Sequence, residues 1–544
     1  MNPKNKKNNM NPKILIVYPN LPLMMSPAIS VAIINAICKR ELCDVMLFET
    51  THYSDEYDNK HIRMSELGAV RSNKKEEIKD MFFIKPTHEI IPDFIKCVSD
   101  YKPDIILMSV QEDVWKIATT LLNSIKHLGV PHILGGVLPI SDPEFVIKHE
   151  SVSQICIYEG ERVVIEAINC IKNLKSLADI KGTWWKDKNG DIHKNPPQPL
   201  VNLMDIIPDF SCFEGTRWKR TMGGRIFHRA VSMETYRGCP YNCTFCNSPN
   251  TRDVAKVLEI GNYMRRKTAK RIEEEYLFLK ETYDPDLMMF QDDSFLARPK
   301  KEIFEFCEMW SKYQVPFWIN TRIENCRPEY MKALKEAGCY RINLGIESGN
   351  ASYREKVLKR KASNAKYKEF LNYINESNIP YALNIIIGMP FETREMVLET
   401  ADMVRNARGY DGINLAMFQP YRGTTLRELA VKNGFLDENF TNCDISSSVG
   451  GGFMDNWALK MPKPYLQESD VRSLIKTFSL YAHFEHDLWP EIHQAETDEE
   501  KFKELMTLYK GEFFEKLQQG GKDRIQKFCA NHDFSSTYRF EAVH

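Results

Sequence analysis

The sequence predicts an α/β protein in three parts: an N-terminal doubly wound, Rossmann-like parallel sheet, a partial (β/α)6 barrel of the TIM type, and a helical C-terminal region. Three observations carry this reading. Continuous apolar runs alternate with helical patterns from residue 13 to about 175, as they do in parallel strands buried on both faces. The alternation restarts near residue 226 and supplies six strands by residue 418. From about residue 436 the strand pattern stops and charged, helical sequence takes over.

At 544 residues the chain is too long for one core and divides into roughly three to four domains. We place a flexible tail at 1–12, the first sheet at 13–178, a linker with a hairpin at 179–225, the barrel at 226–435 and the helical region at 436–544. With 43% hydrophobic and 27% charged residues and a net charge of −1, composition predicts no nucleic-acid partner and no attraction to an anionic membrane. No run approaches the ~18 apolar residues of a membrane span, and the first twelve residues lack a signal-peptide core. The expected compartment is the cytoplasm, where the 14 cysteines stay reduced.

In the first part, Lys13-Ile-Leu-Ile-Val-Tyr18, Asp44-Val-Met-Leu-Phe48, Asp104-Ile-Ile-Leu-Met-Ser109, His132-Ile-Leu-Gly135 and Gln154-Ile-Cys-Ile-Tyr158 read as strands, with helices near 28–39, 115–126 and 162–172. Ligands of such sheets bind at the carboxyl ends of the strands. Those ends carry Tyr18-Pro-Asn-Leu-Pro22, Ser109-Val-Gln-Glu112, Gly135-Gly-Val-Leu-Pro139 and Tyr158-Glu-Gly-Glu161. Glycine there admits close approach of a flat ligand, or simply makes a tight turn. No G-x-G-x-x-G follows the first strand, which disfavours a dinucleotide. The polar stretch 53–80 reads as a surface excursion.

Asn189-Gly190 marks a hairpin turn inside the linker, and Asn195-Pro-Pro-Gln-Pro199 an extended crossing. In the barrel, strands at 287–290, 317–320, 341–345, 383–387 and 413–418 end in Gln291-Asp-Asp293, Thr321-Arg-Ile-Glu324, Glu347-Ser-Gly349, Gly388-Met-Pro390 and Tyr421-Arg-Gly-Thr424. Barrel chemistry sits at such ends. Glu347 is placed to accept hydrogen bonds and Arg322 to grip a carboxylate through two nitrogens; a salt bridge closing the barrel rim is the alternative, of equal weight for Arg322.

After the first barrel strand comes Cys239-Pro-Tyr-Asn-Cys243-Thr-Phe-Cys246. A C-x3-C-x2-C loop aims three thiolates at three irons of a cubane and leaves the fourth iron open. Structural zinc takes four ligands, commonly from a second paired motif, and none follows here.

The loop, with Phe245 before its last cysteine, resembles the signature of the radical S-adenosylmethionine enzymes. That resemblance implies a [4Fe-4S] cluster on Cys239, Cys243 and Cys246 and S-adenosylmethionine chelating the open iron. It places Phe245, Arg322, Glu347, Gly388 and Pro390 around S-adenosylmethionine. Asp292 and Asp293 stand where related subfamilies carry an acidic pair, while the family's Gly-Gly-Glu is absent.

A five-stranded domain ahead of this barrel is similar to the cobalamin-dependent subclass. The resemblance places Pro22, Ser109, Val110, Gly135, Gly136, Pro139, Tyr158, Glu159, Gly160 and Glu161 against cobalamin. The Asp-x-His-x-x-Gly of other cobalamin proteins is absent, so the lower face of cobalt meets either 22–27 or 109–113. The implied activity is methyl transfer to an unactivated carbon, or phosphorus, of a small-molecule substrate by way of a 5'-deoxyadenosyl radical. An external one-electron reductant of the flavodoxin or ferredoxin type is implied as partner. Alternatives are a cyclase or ring-rearranging oxidoreductase of the same subclass, and a non-catalytic cobalamin or redox sensor; no catalytic side chain is assigned. The methylthiotransferases of tRNA would need a second three-cysteine cluster, and Cys38, Cys43 and Cys97 are too scattered to supply it.

Near the C-terminus Val471, Leu474, Ile475, Phe478, Tyr481, Phe484 and Leu488 fall at helical spacing, with Ser469 as the expected cap. Val449-Gly-Gly-Gly-Phe453 reads as a linker or lid hinge, and His483, His486 and His493 as partly exposed helix residues.

Overall fold

A computed structural model describes residues 11–56, 67, 69, 81, 83–222, 225–407, 409–444 and 457–511. The expected hinge at 449–453, most of the 53–80 excursion and most of the N-terminal tail lie outside the described residues.

The first sheet runs β2 (Asp44–Glu49), β1 (Lys13–Tyr18), β3 (Ile105–Ser109), β4 (His132–Gly135), β5 (Gln154–Cys156), with these five strands parallel. Strands β1 and β3 are almost wholly buried because helices cover both faces, as continuous apolar runs require. One correction concerns the linker. The hairpin β6 (Thr183–Lys186) and β7 (Ile192–Lys194) joins this sheet as its antiparallel edge. Its Trp184 ring, covered by the Lys194 ammonium at 3.9 Å, packs on the apolar layer beneath the sheet, and that burial ties the hairpin down.

A short hairpin follows, β8 (Arg220–Met222) with β9 (Arg225–Phe227). The barrel then runs β10 (Ala230–Met233), β13 (Leu287–Phe290), β14 (Phe317–Arg322), β15 (Cys339–Glu347), β16 (Tyr381–Ile387), β17 (Gly412–Met417), all parallel and unclosed. The ribbon β11 (Tyr236–Arg237) and β12 (Arg265–Arg266) brackets the cysteine loop. An open sheet leaves an unpaired edge, and Ile413 N donates there to Ala69 O at 2.7 Å. Ala69 is 3% exposed, so at this point the expected surface excursion instead covers the barrel edge.

The helix Glu468–His483 packs its apolar stripe on helix Arg394–Ala407, with Arg394 Nη2 donating to Tyr481 Oη at 3.1 Å. It is capped by Gln467 and Asp470 through a reciprocal capping box, not by Ser469; the reciprocal pair satisfies two end groups at once. His483 is partly exposed, as expected; its ring nitrogen lies 2.7 Å from Tyr410 Oη, and desolvation lowers its pKa to about 4. One apolar cluster runs from Ile14 and Ile37 through Phe210 and Phe213 to Tyr276 and Trp310. The two sheets are therefore held together by the crossing segment between them. Among the described residues no helix is long and apolar enough to cross a membrane.

Candidate active site

The cysteine loop is fixed from both sides. Upstream, Thr235 N and Tyr236 N donate to Asp292 Oδ1 at 2.8 and 3.0 Å, and Arg298 pairs with the same carboxylate at 2.6 Å. Downstream, Arg252 Nη1 donates to Cys239 O at 3.1 Å. Asp292 is thus spent on holding the loop, whereas Asp293 takes a hydrogen bond from Ser248 Oγ at 2.9 Å and stands open beside Cys239 and Cys246.

The three thiols are free, and burial pushes Cys239 up to about 11 and Cys246 to about 12. Cys243 is also raised by burial, opposed by Arg360 and Arg322. Among the described residues no three His, Cys, Asp or Glu side chains converge on one ion. A cubane does not ask for that, because each thiolate meets a different iron.

An ionic ladder leads away from Cys243. Arg322 Nη1 faces its sulfur at 3.6 Å, Arg322 Nη2 donates to Glu324 at 2.7 Å, and Arg360 bridges Glu324 at 3.3 Å and Glu347 at 3.1 Å. Arg322 also lies 3.9 Å over the Tyr241 ring. The rim salt bridge is therefore what occupies Glu347 in this structure, and Arg322 is shared between Glu324 and the cysteine.

Three cavities adjoin one another here, and one of them touches Cys246. One of about 420 Å³ touches Phe245, Cys246, Asn247, Ile386, Phe418 and Gln419. A second of about 360 Å³ opens at the carboxyl ends of the first sheet, against Ser109, Gly135, Gly136, Tyr158, Glu159, Gly160 and Glu161. A third of about 510 Å³ lies between the β1 turn and the barrel. Gln111 lines all three.

Several expected contacts sit elsewhere. Val110 is fully buried beneath Gly136, where an added Cβ would come within 2.5 Å of Val110 O, so Val110 is floor and not wall. Pro22 and Pro139 line none of these cavities; the β1 turn presents Pro19, Met24 and Pro27 instead. Gly388 is covered by Trp457, whose Nε1 donates to Gly388 O at 2.7 Å, and Pro390 O accepts from Tyr353 at 2.8 Å; Ile386 and Phe418 face the cavity in their place. Glu159 and Glu161 line the second cavity while pairing with Arg237 at 2.8 and 2.9 Å. Gln111 and Ile386 lay within sequences already singled out, but only packing shows which of a strand's residues turn toward a cavity.

A parallel sheet with its ligand face turned to a three-cysteine loop at the mouth of a partial barrel defines a two-domain iron–sulfur enzyme architecture. Residues 233–404 match the family model described as the radical SAM superfamily. The chain is 27% identical over 350 residues to an uncharacterized methyltransferase of Pyrococcus horikoshii, covering 63% of this chain and 73% of that protein. It is 24% identical over 355 residues to the anaerobic magnesium-protoporphyrin IX monomethyl ester cyclase of Rubrivivax gelatinosus, covering 63% and 61%. The fold is similar to that of the radical S-adenosylmethionine methyltransferase TsrM of Kitasatospora setae with cobalamin and [4Fe-4S] cluster bound, with TM-score 0.59, 13% identity, and 96% and 100% of the two chains covered.

The residues present fit the superfamily's cluster and S-adenosylmethionine: three unpaired thiols, an open carboxylate at Asp293 and an apolar cavity beside Phe245.

Proposed function

We propose that this chain is a cobalamin-dependent radical S-adenosylmethionine methyltransferase acting on an unactivated carbon, or phosphorus, of a small molecule. The observation that carries the reading is the meeting of three cavities at Gln111. It sets the ligand face of the first sheet, the cysteine loop and the barrel interior next to one another.

Cys239, Cys243 and Cys246 hold the cluster. Asp293, steadied by Ser248, receives the ammonium of S-adenosylmethionine, and Arg322, whose Nη1 is not bound to Glu324, its carboxylate. Phe245, Ile386 and Phe418 enclose the adenine. Glu347 acts through Arg360. The second cavity, floored by glycines 135, 136 and 160, accepts the flat base of the cobalamin tail, since added side chains would fill the space. Bound together, the cofactors supply a carbon-centred radical and a transferable methyl group. The packed domains hold the reactants near one another and away from water. An external one-electron donor completes the cycle.

Support comes from the superfamily match, from the methyltransferase names among relatives and from the cobalamin-bound neighbour of like fold. The cyclase relative favours ring formation as a second reading. Anaerobic purification, cluster reconstitution and hydroxocobalamin loading test the first claim: about one cobalamin should remain per cluster after desalting, and cluster without cobalamin would refute it. With substrate, methyl transfer yields S-adenosylhomocysteine together with 5'-deoxyadenosine, whereas cyclisation yields no S-adenosylhomocysteine. A sensor yields neither above background.

A further inference from the structure

Most buried arginines among the described residues are matched by carboxylates, and Arg354, which is not, is held by Ser348 O, Ala362 O and Asn364 Oδ1. Arg217 meets Glu49, Arg298 meets Asp292, Arg341 meets Asp411, Arg360 meets Glu347 and Arg422 meets Asp142. Among the described residues Arg220 has no such partner. Its Nε is buried and makes no hydrogen bond, and no ion pair involves it among the described residues. Burial acts alone on its guanidinium, lowering its pKa, with no carboxylate opposing.

Arg220 lines the 510 Å³ cavity between the β1 turn and the barrel. Its neighbours there include Met289 and Trp318, which form an apolar wall, and Gln291, which offers an amide. The carboxylate of Glu234 in the same cavity is already held by Arg237 at 3.1 Å. The position is rigid: Arg220 pairs with Phe227 across the β8–β9 hairpin, and the Phe227 ring packs on Tyr340 with centroids 5.2 Å apart. A guanidinium withdrawn from water without a counter-charge is costly, and its planar fork suits a carboxylate or phosphoryl group. Sites on rigid elements position ligands better than sites on loops.

We propose that Arg220 anchors an anionic group of the substrate, a carboxylate or phosphoryl group, with the substrate's apolar body against Met289 and Trp318. This rests on the functional reading above and names the class of substrate. The same chemistry has a second source, the phosphodiester of cobalamin, so the test separates the two.

The full-length protein, wild type and as Arg220→Gln and Arg220→Lys, is reconstituted with cluster and loaded with hydroxocobalamin without oxygen. Retained cobalamin is read from its visible spectrum. Calorimetric titrations then use phenylphosphonate, 3-phenylpropanoate and neutral 3-phenylpropanamide. We expect at least one of the two anions to bind wild type at least ~10-fold more tightly than the amide. Arg220→Gln should lose that preference, Arg220→Lys should keep part of it, and all three proteins should retain cobalamin equally.

Equal affinity for acid and amide in wild type, or an unchanged preference in Arg220→Gln, overturns the proposal. So does cobalamin loss confined to the variants, which would assign Arg220 to the cofactor phosphodiester. Wild type that retains no cobalamin refutes the functional reading instead, and the anion titrations are then read on the cluster-loaded protein. Should Arg220→Gln fail to fold, phenylglyoxal footprinting of wild type decides: protection of Arg220 by phenylphosphonate is expected, and its absence overturns the proposal.

Discussion

Tyr421 Oη donates to Asp113 Oδ2 at 3.0 Å across the boundary between the first sheet and the last turn of the barrel. One residue along, Glu112 accepts from Arg422 N at 2.7 Å and Asn442 N at 3.1 Å, with the Arg427 guanidinium at 3.7 Å. This buried contact sets how the first sheet's ligand face meets the cysteine loop. Glu112→Ala should destabilise the protein by about 3–5 kcal/mol, since it strands a buried guanidinium, and Tyr421→Phe by about 1 kcal/mol. Thermal melting of the two variants checks the order, which fails if they melt alike.

Gly136 has φ +106°, and a Cβ there would come within 2.5 Å of Val110 O and 2.7 Å of Val110 N. Backbone cannot yield as a side chain can. Gly136→Ala should cost at least ~1–3 kcal/mol and displace the loop that floors the second cavity. Lowered cobalamin retention with intact cluster is the expected pairing; Gly160→Ala, whose Cβ would meet nothing within 4 Å, should melt as wild type.

Arg360 bridges Glu324 and Glu347, and its side chain is 1% exposed. Arg360→Ala leaves two acidic groups without their shared cation and should cost about 3–5 kcal/mol. Glu324 is held down to about 2 chiefly by Arg360 and Arg322 against the effect of burial. The contribution of that carboxylate is present above its unfolded value and lost as pH falls toward 2, so the variant should show weaker pH dependence between about 4.5 and 2. Urea unfolding across that range reads the difference.

Glu392 accepts from Gly388 N at 2.7 Å and Met389 N at 3.2 Å, yet burial raises its pKa to about 8. A carboxyl group raised on folding contributes stability that is full below about 4.5 and lost as pH climbs through 8. Glu392→Gln, neutral at every pH, should flatten that fall. Denaturant midpoints at pH 6 and pH 8.5 that shift equally in both proteins would contradict the assignment.

Cys239→Ala, Cys243→Ala and Cys246→Ala should each lose most cluster iron while keeping wild-type helicity by circular dichroism, whereas Cys156→Ala should keep its iron. Cys156 is buried in the first sheet, 2% exposed, and serves packing.

Much of this protein was legible before any folding was considered. Alternation of apolar runs located the strands of both sheets, because a strand buried on both faces has no other composition to adopt. The cysteine spacing named the cluster because ligand geometry is local. Tertiary structure alone decided which residues face which. The β6–β7 hairpin looked like a spacer and became a sheet edge, where Trp184 packs on the apolar layer of the first sheet. Arg322 and Glu324 come at or after the end of one strand while Glu347 and Arg360 come at or after the end of the next, yet the barrel brings all four into one ladder. Arg220 carried no signal at all: an arginine is ordinary in sequence, and only the lack of a paired carboxylate among the described residues makes it conspicuous. Periodicity reports what is buried; what a buried charge is buried against is a long-range property, fixed when the chain folds.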